Sequence, residues 1–160
     1  MNYLKQKILI ISFLTLSANL LIAHCQIPCG IYNDGLRIIQ IEENFKTIEK
    51  AMNKIIILSS ESNPFNSQQI IRWTVAKENH AKDTQNILSD YFLAQRIKKE
   101  NPNYTKQLIF LHKLYVNSMK CKQNVESDYV SDGLKLLDNF SELYFDQHGL
   151  QHLKEMRKLD

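Results

Sequence analysis

The chain has 160 residues, 20 of them basic and 17 acidic, for a formal net charge of +3, and 44% of its residues are hydrophobic. That is a single-domain length with enough apolar material for one sizeable core. No basic stripe with interleaved aromatics runs along it, so nothing calls for nucleic acid.

Met1 to Lys7 carries Lys5 and Lys7 and no acid, and from Ile8 through Ala23 there is no charged residue, with ILIISFLTL at the centre. This is the layout of a signal peptide: a basic start, an apolar middle and a small residue before the cut. The uncharged stretch is short for a membrane span and is interrupted by polar SAN, which argues against a permanent anchor once the leader is cut. The expectation is therefore a leader over residues 1–23, removed by a leader-cleaving protease, and a mature chain over residues 24–160 that begins at His24. Removing 23 residues from 160 leaves 137, and removing Lys5 and Lys7 leaves 18 basic against 17 acidic residues. Export to a periplasm, a lumen or the cell exterior follows from that leader, with a cytoplasmic destination after dedicated leader processing as the alternative.

Residues 24–32, HCQIPCGIY, hold two of the chain's three cysteines. Pro28 disfavours helix at Ile27, and Gly30 allows a tight turn just after the second thiol, so Cys25 to Cys29 is built to curl and bring both sulfurs to one point. On spacing alone the pair reads as a small disulfide of an exported protein. With His24 at a free N-terminus the same point gains an amino nitrogen, the amide nitrogen of Cys25 and an imidazole. Planar nitrogen and sulfur donors suit Ni(II) or Cu(II), whereas zinc asks for a tetrahedron.

Beyond this hook the chain reads as helices. Ile41, Phe45, Ile48, Met52 and Ile55 recur at spacings of three and four with charged residues between them, predicting a helix from about Leu36 to Ser59. ESNPFNS breaks it, and a second helix is predicted from about Ser67 to Lys99 with Ile71, Val75, Ile87, Tyr91 and Ala94 on its apolar face; Arg96, Lys98 and Lys99 read as its solvated end. NPNY punctuates again, Leu108, Leu111, Tyr115 and Met119 mark a third helix, and Tyr129, Leu134, Leu137, Phe140 and Tyr144 a fourth, loosened by Gly133. Four helices with short connections and no alternating apolar run predict an all-α chain, an antiparallel four-helix bundle over residues 36–148 preceded by an N-terminal metal-binding hook.

HCQIPCGIY resembles the nickel hook of nickel superoxide dismutases, which begins His-Cys-x-x-Pro-Cys-Gly-x-Tyr. His24, Cys25, Pro28, Cys29, Gly30 and Tyr32 fit that pattern in order and without a gap, and TIEKAMN at 47–53 and SDYF at 89–92 extend the likeness over most of the mature chain. The resemblance implies a four-helix bundle, a homohexamer, one nickel ion per subunit, and dismutation of superoxide to oxygen and hydrogen peroxide by cycling between Ni(III) and Ni(II). It makes Cys25 and Cys29 the thiolate ligands, with the N-terminal amine and a backbone nitrogen completing the plane and the His24 side chain as axial ligand. His24, Cys25, Cys29 and Tyr32 are then the catalytic residues, Tyr32 closing over the open face, with Tyr91 of SDYF in the same neighbourhood.

The supporting residues depart from the family pattern. Gln26 stands where well-known members have aspartate, Gln40 stands at the position of a glutamate, with Glu42 or Glu43 nearby, and His80 in KENHAK stands where an arginine is expected. A histidine can still donate a hydrogen bond toward the axial imidazole. Cys121, amid KCK, reads as a stray thiol, and His148 and His152 as surface histidines. A second reading stays open: a non-catalytic secreted helical protein that binds nickel or copper through the same hook.

Overall fold

The computed structural model describes residues 32–158. The expected leader and the hook residues His24, Cys25, Gln26 and Cys29 lie outside the described residues, while Tyr32 is the first residue inside them.

Five α-helices follow: α1 (Asp34–Ser59), α2 (Pro64–Asn86), α3 (Tyr104–Gln123), α4 (Asp128–Tyr144) and α5 (Gln147–Met156), with a π-helical segment (Ile87–Arg96) continuing α2. Side chains set three of the starts. Asn33 Oδ1 accepts from the Leu36 amide at 3.0 Å, Asn63 Oδ1 from the Asn66 amide at 2.8 Å with Pro64 behind it, and Asp146 Oδ1 from the Gly149 amide at 2.7 Å. Each satisfies an amide that the first helical turn leaves unbonded.

Helix α1 packs on α2, α2 on α3, α3 on α4 and α4 back on α1, closing the predicted antiparallel bundle. The short fifth helix, α5, packs on α1 and was not foreseen. Among the described residues there is no strand, and no helix is long and apolar enough to cross a membrane.

Of the predicted stripe of α1, Ile41, Phe45, Ile48 and Met52 are fully buried at the centre of the core, joined there by Ile38, while Ile55 is only half-buried. Of the face predicted for the second helix, Tyr91 is buried and Ile87 half-buried against the core, whereas Ile71, Val75 and Ala94 are exposed, and Ala81, Thr84, Gln85, Leu88 and Phe92 are buried besides. For Ile71 and Val75 the cause is length. Helix α1 has 26 residues and α4 has 17, so at a rise of 1.5 Å per residue the α1–α2 hairpin outruns its neighbour by roughly 13 Å. Side chains near its tip have no third helix to bury against.

On α3 the buried stripe runs through Leu111, Leu114, Ser118 and Cys121, leaving Tyr115 and Met119 exposed. Cys121 is therefore a core thiol and not a stray one, and burial pushes it up to about 11. Gly133 does not loosen α4. A Cβ there would stand 2.5 Å from Phe45 Cζ and 2.6 Å from Asn117 Oδ1, so the glycine is what lets α4 approach α1 and α3.

Candidate metal-hook site

The chain enters the bundle at Tyr32, and the first residue of α1, Asp34, meets side chains from two other elements there. Its carboxylate, mostly buried, accepts from the Tyr91 hydroxyl at 2.5 Å, from the Tyr144 hydroxyl at 2.7 Å, and from Arg96 through Nε at 2.9 Å and Nη2 at 2.7 Å. Tyr91 and Arg96 are five residues apart, a spacing that points side chains to different faces of an α-helix. In the π segment, where the Ile97 amide reaches back five residues to the Phe92 carbonyl, the same spacing brings both onto one face. The second predicted helix is thus real but changes its winding at Ile87, and the change is what delivers two donors to one carboxylate.

Burial raises the Asp34 carboxyl, but the Arg96 guanidinium and the two phenols outweigh it and hold it below the ordinary 3.8. Burial and the same carboxylate raise both Tyr91 and Tyr144 well above the usual phenol value. Arg96, read from sequence as part of a solvated helix end, is half-buried and paired; the hydrogen bond to Asp34 raises it.

Tyr32 is brought to this cluster. Its ring lies 4.4 Å under the Arg96 guanidinium and meets Tyr91 edge to face, with ring centres 5.9 Å apart. It remains 43% exposed, and its hydroxyl reaches Gln95 Oε1 only at 3.4 Å, a long and weak hydrogen bond. The Arg37 guanidinium also sits over the Tyr91 ring, 5.3 Å from its centre, with Nη1 donating to Gln40 Oε1 at 2.7 Å. Gln40 thus reaches the tyrosine pair through Arg37.

His80 stands elsewhere. Its Nδ1 is 2.7 Å from Asn44 Oδ1 on α1, an arrangement that assigns the proton to Nδ1. Asn44 lies ten residues beyond Asp34, roughly 15 Å along the helix. Glu42 is taken by a different partner, since Arg157 just after α5 donates to it from both Nε and Nη2 and reaches Asp138 at 2.7 Å. Glu43 is exposed, and so are His148 and His152 on α5.

Among the described residues, no three histidine, cysteine, aspartate or glutamate side chains gather in a way that could hold a metal. The family model of nickel-containing superoxide dismutase matches residues 19–148. The chain belongs to the nickel-containing superoxide dismutase family. The match takes in all of HCQIPCGIY and the four helices of the bundle, and it stops near the start of α5. No curated protein and no solved structure matches the chain. The family makes it a nickel-dependent superoxide dismutase, an oxidoreductase with nickel as cofactor and superoxide as substrate.

The donor set just upstream of Tyr32 fits nickel: two thiols and an imidazole, soft and borderline ligands within six residues of sequence. Sequence reasoning missed Asp34, Arg96, Tyr144, Arg37 and Asn44. Asp34 looks like an ordinary acid at a helix start and Tyr144 like core, and the one signal that singled out this region was SDYF.

Proposed function

We propose that nickel is held at a processed N-terminus, by the Cys25 and Cys29 thiolates and by the amino group and imidazole of His24. The observation that carries this is the family match running through every residue of HCQIPCGIY. Held there, nickel supplies a one-electron couple, Ni(III)/Ni(II), through which two superoxide ions and two protons become one oxygen and one hydrogen peroxide.

The chain's own residues set the surroundings. Tyr91 has its hydroxyl committed to Asp34 and serves as a fixed wall. Tyr32 rests against that wall with its hydroxyl only loosely engaged, so it is the phenol free to turn toward a small anion at the opening. The eight steps of chain from His24 to Tyr32 have a reach of at most about 28 Å, enough for His24 to come to His80. A His80 ring already oriented by Asn44 supports a role in steadying the His24 imidazole.

Self-association as a homohexamer is supported by the apolar side chains left exposed on the α1–α2 hairpin, Ile56, Ile57, Phe65, Ile71 and Val75. Export with removal of residues 1–23 is supported by the basic and apolar sequence before His24.

The test is superoxide consumption by the purified, nickel-loaded protein. Wild type should turn over, and Cys25→Ser or Cys29→Ser, each removing a soft anionic donor, should abolish turnover. Nickel bound at wild-type affinity without turnover would instead establish the non-catalytic binding protein.

A further inference from the structure

Both aromatic rings at the base of the hook are held from one carboxylate. Asp34 fixes Tyr91 directly through its hydroxyl at 2.5 Å, and it fixes Tyr32 at one remove, because the guanidinium that forks onto Asp34 also covers the Tyr32 ring at 4.4 Å. A third anchor comes from α4, where the Tyr144 hydroxyl reaches the other carboxylate oxygen at 2.7 Å. An acid that merely favoured a helix start would need none of these donors. Tyr32 itself is exposed and makes one long hydrogen bond, so its position depends on Arg96 and Tyr91, and theirs on Asp34.

We propose that Asp34 is a positioning residue of the metal site, setting the Tyr32–Tyr91 ring pair at the point where the chain leaves α1 for the hook. This rests on the dismutase reading for its effect on rate, though not for its effect on the rings. The carboxylate acts through Tyr91 and Arg96. Asparagine in its place keeps the shape but loses the charge that binds Arg96, and the guanidinium is then released from the Tyr32 face.

The experiment uses the full protein, with and without nickel, as wild type, Asp34→Asn, Asp34→Glu and Lys77→Met. Lys77 donates to the Lys122 and Asn124 carbonyls, which lie around the C-terminal end of α3 at the opposite end of the bundle, so its variant controls for lost stability alone. In the metal-free protein, Asp34→Asn should move the Tyr32 and Tyr91 ring resonances toward those of free tyrosine. In the nickel-loaded protein it should lower the superoxide rate per bound nickel by about tenfold or more, the scale on which lost outer-sphere partners act. Asp34→Glu should recover part of both, and Lys77→Met should change neither. Unmoved ring resonances in Asp34→Asn, or a rate loss no larger than in Lys77→Met, would overturn the proposal. Should Asp34→Asn fail to fold, Arg96→Lys is the second variant: lysine lacks the planar fork and should free the Tyr32 ring alone, and a ring that stays put there overturns the proposal equally. Wild type that binds nickel without consuming superoxide refutes the dismutase reading, while the metal-free ring resonances still decide the role of Asp34.

Discussion

Helix α1 carries two carboxylates that each hold an arginine, and they are not alike. Asp34 pairs with Arg96 and takes two phenol hydroxyls besides, from elements that lie inside the family match. Glu42 pairs with Arg157, which follows α5 beyond the end of that match and is shared with Asp138, itself largely exposed. One carboxylate is the hub of a satisfied cluster beside the hook, and the other fastens a C-terminal helix to the bundle. A salt bridge by itself says little about its weight; the number of buried donors that would be stranded by its loss says more.

The largest expected difference is in stability. Asp34→Ala leaves two phenols and a half-buried guanidinium without an acceptor and should cost about 3 kcal/mol in chemical unfolding, against about 1 kcal/mol for Glu42→Ala, whose arginine keeps Asp138. Equal losses would erase the distinction.

The next is in pH. Because the Asp34 carboxyl is held low in the fold, its stabilisation is present above the unfolded value of about 4 and is lost as pH falls through the depressed folded value. Tyr91 and Tyr144 are raised, so their contribution is intact below the unfolded phenol value of about 10 and is lost as pH climbs beyond it. Thermal melts from pH 2 to 11 should therefore show both limbs in wild type and in Glu42→Gln. Asp34→Asn should flatten them, and unchanged limbs there would place the titrating groups elsewhere.

The smallest effect belongs to the C-terminal fastening. In activity, Arg157→Ala should leave superoxide consumption per bound nickel intact, although it strands the mostly buried Glu42 carboxylate and should cost about 1 to 2 kcal/mol of stability. A loss of activity would make α5 part of the site.

The sequence made some of this legible and hid the rest for physical reasons. The α1 stripe through Ile41, Phe45, Ile48 and Met52 could be read because apolar spacing and burial coincide where helices surround a helix on several sides. Ile71 and Val75 have the same spacing and lie exposed, because burial there depends on how far α3 and α4 extend, a length no local pattern encodes. HCQIPCGIY carried the likeness to the family that the match bears out, and the same likeness put Tyr32 and Tyr91 in one neighbourhood, where the two rings do meet. Asp34 and Arg96 were not legible. They pair across 62 positions, in a register that a change to π winding creates, and single polar residues carry no mark of a partner so far away. Gln40 stands at the position of a family glutamate, and among the described residues the hydrogen bond it accepts comes from Arg37.

The central claim is that nickel binds at a chain end made by cleavage before His24. It is tested most directly by the intact mass of the fraction that consumes superoxide. A chain beginning at His24 and carrying one nickel is the predicted result, and an active fraction that retains any residue upstream of His24 would contradict the account.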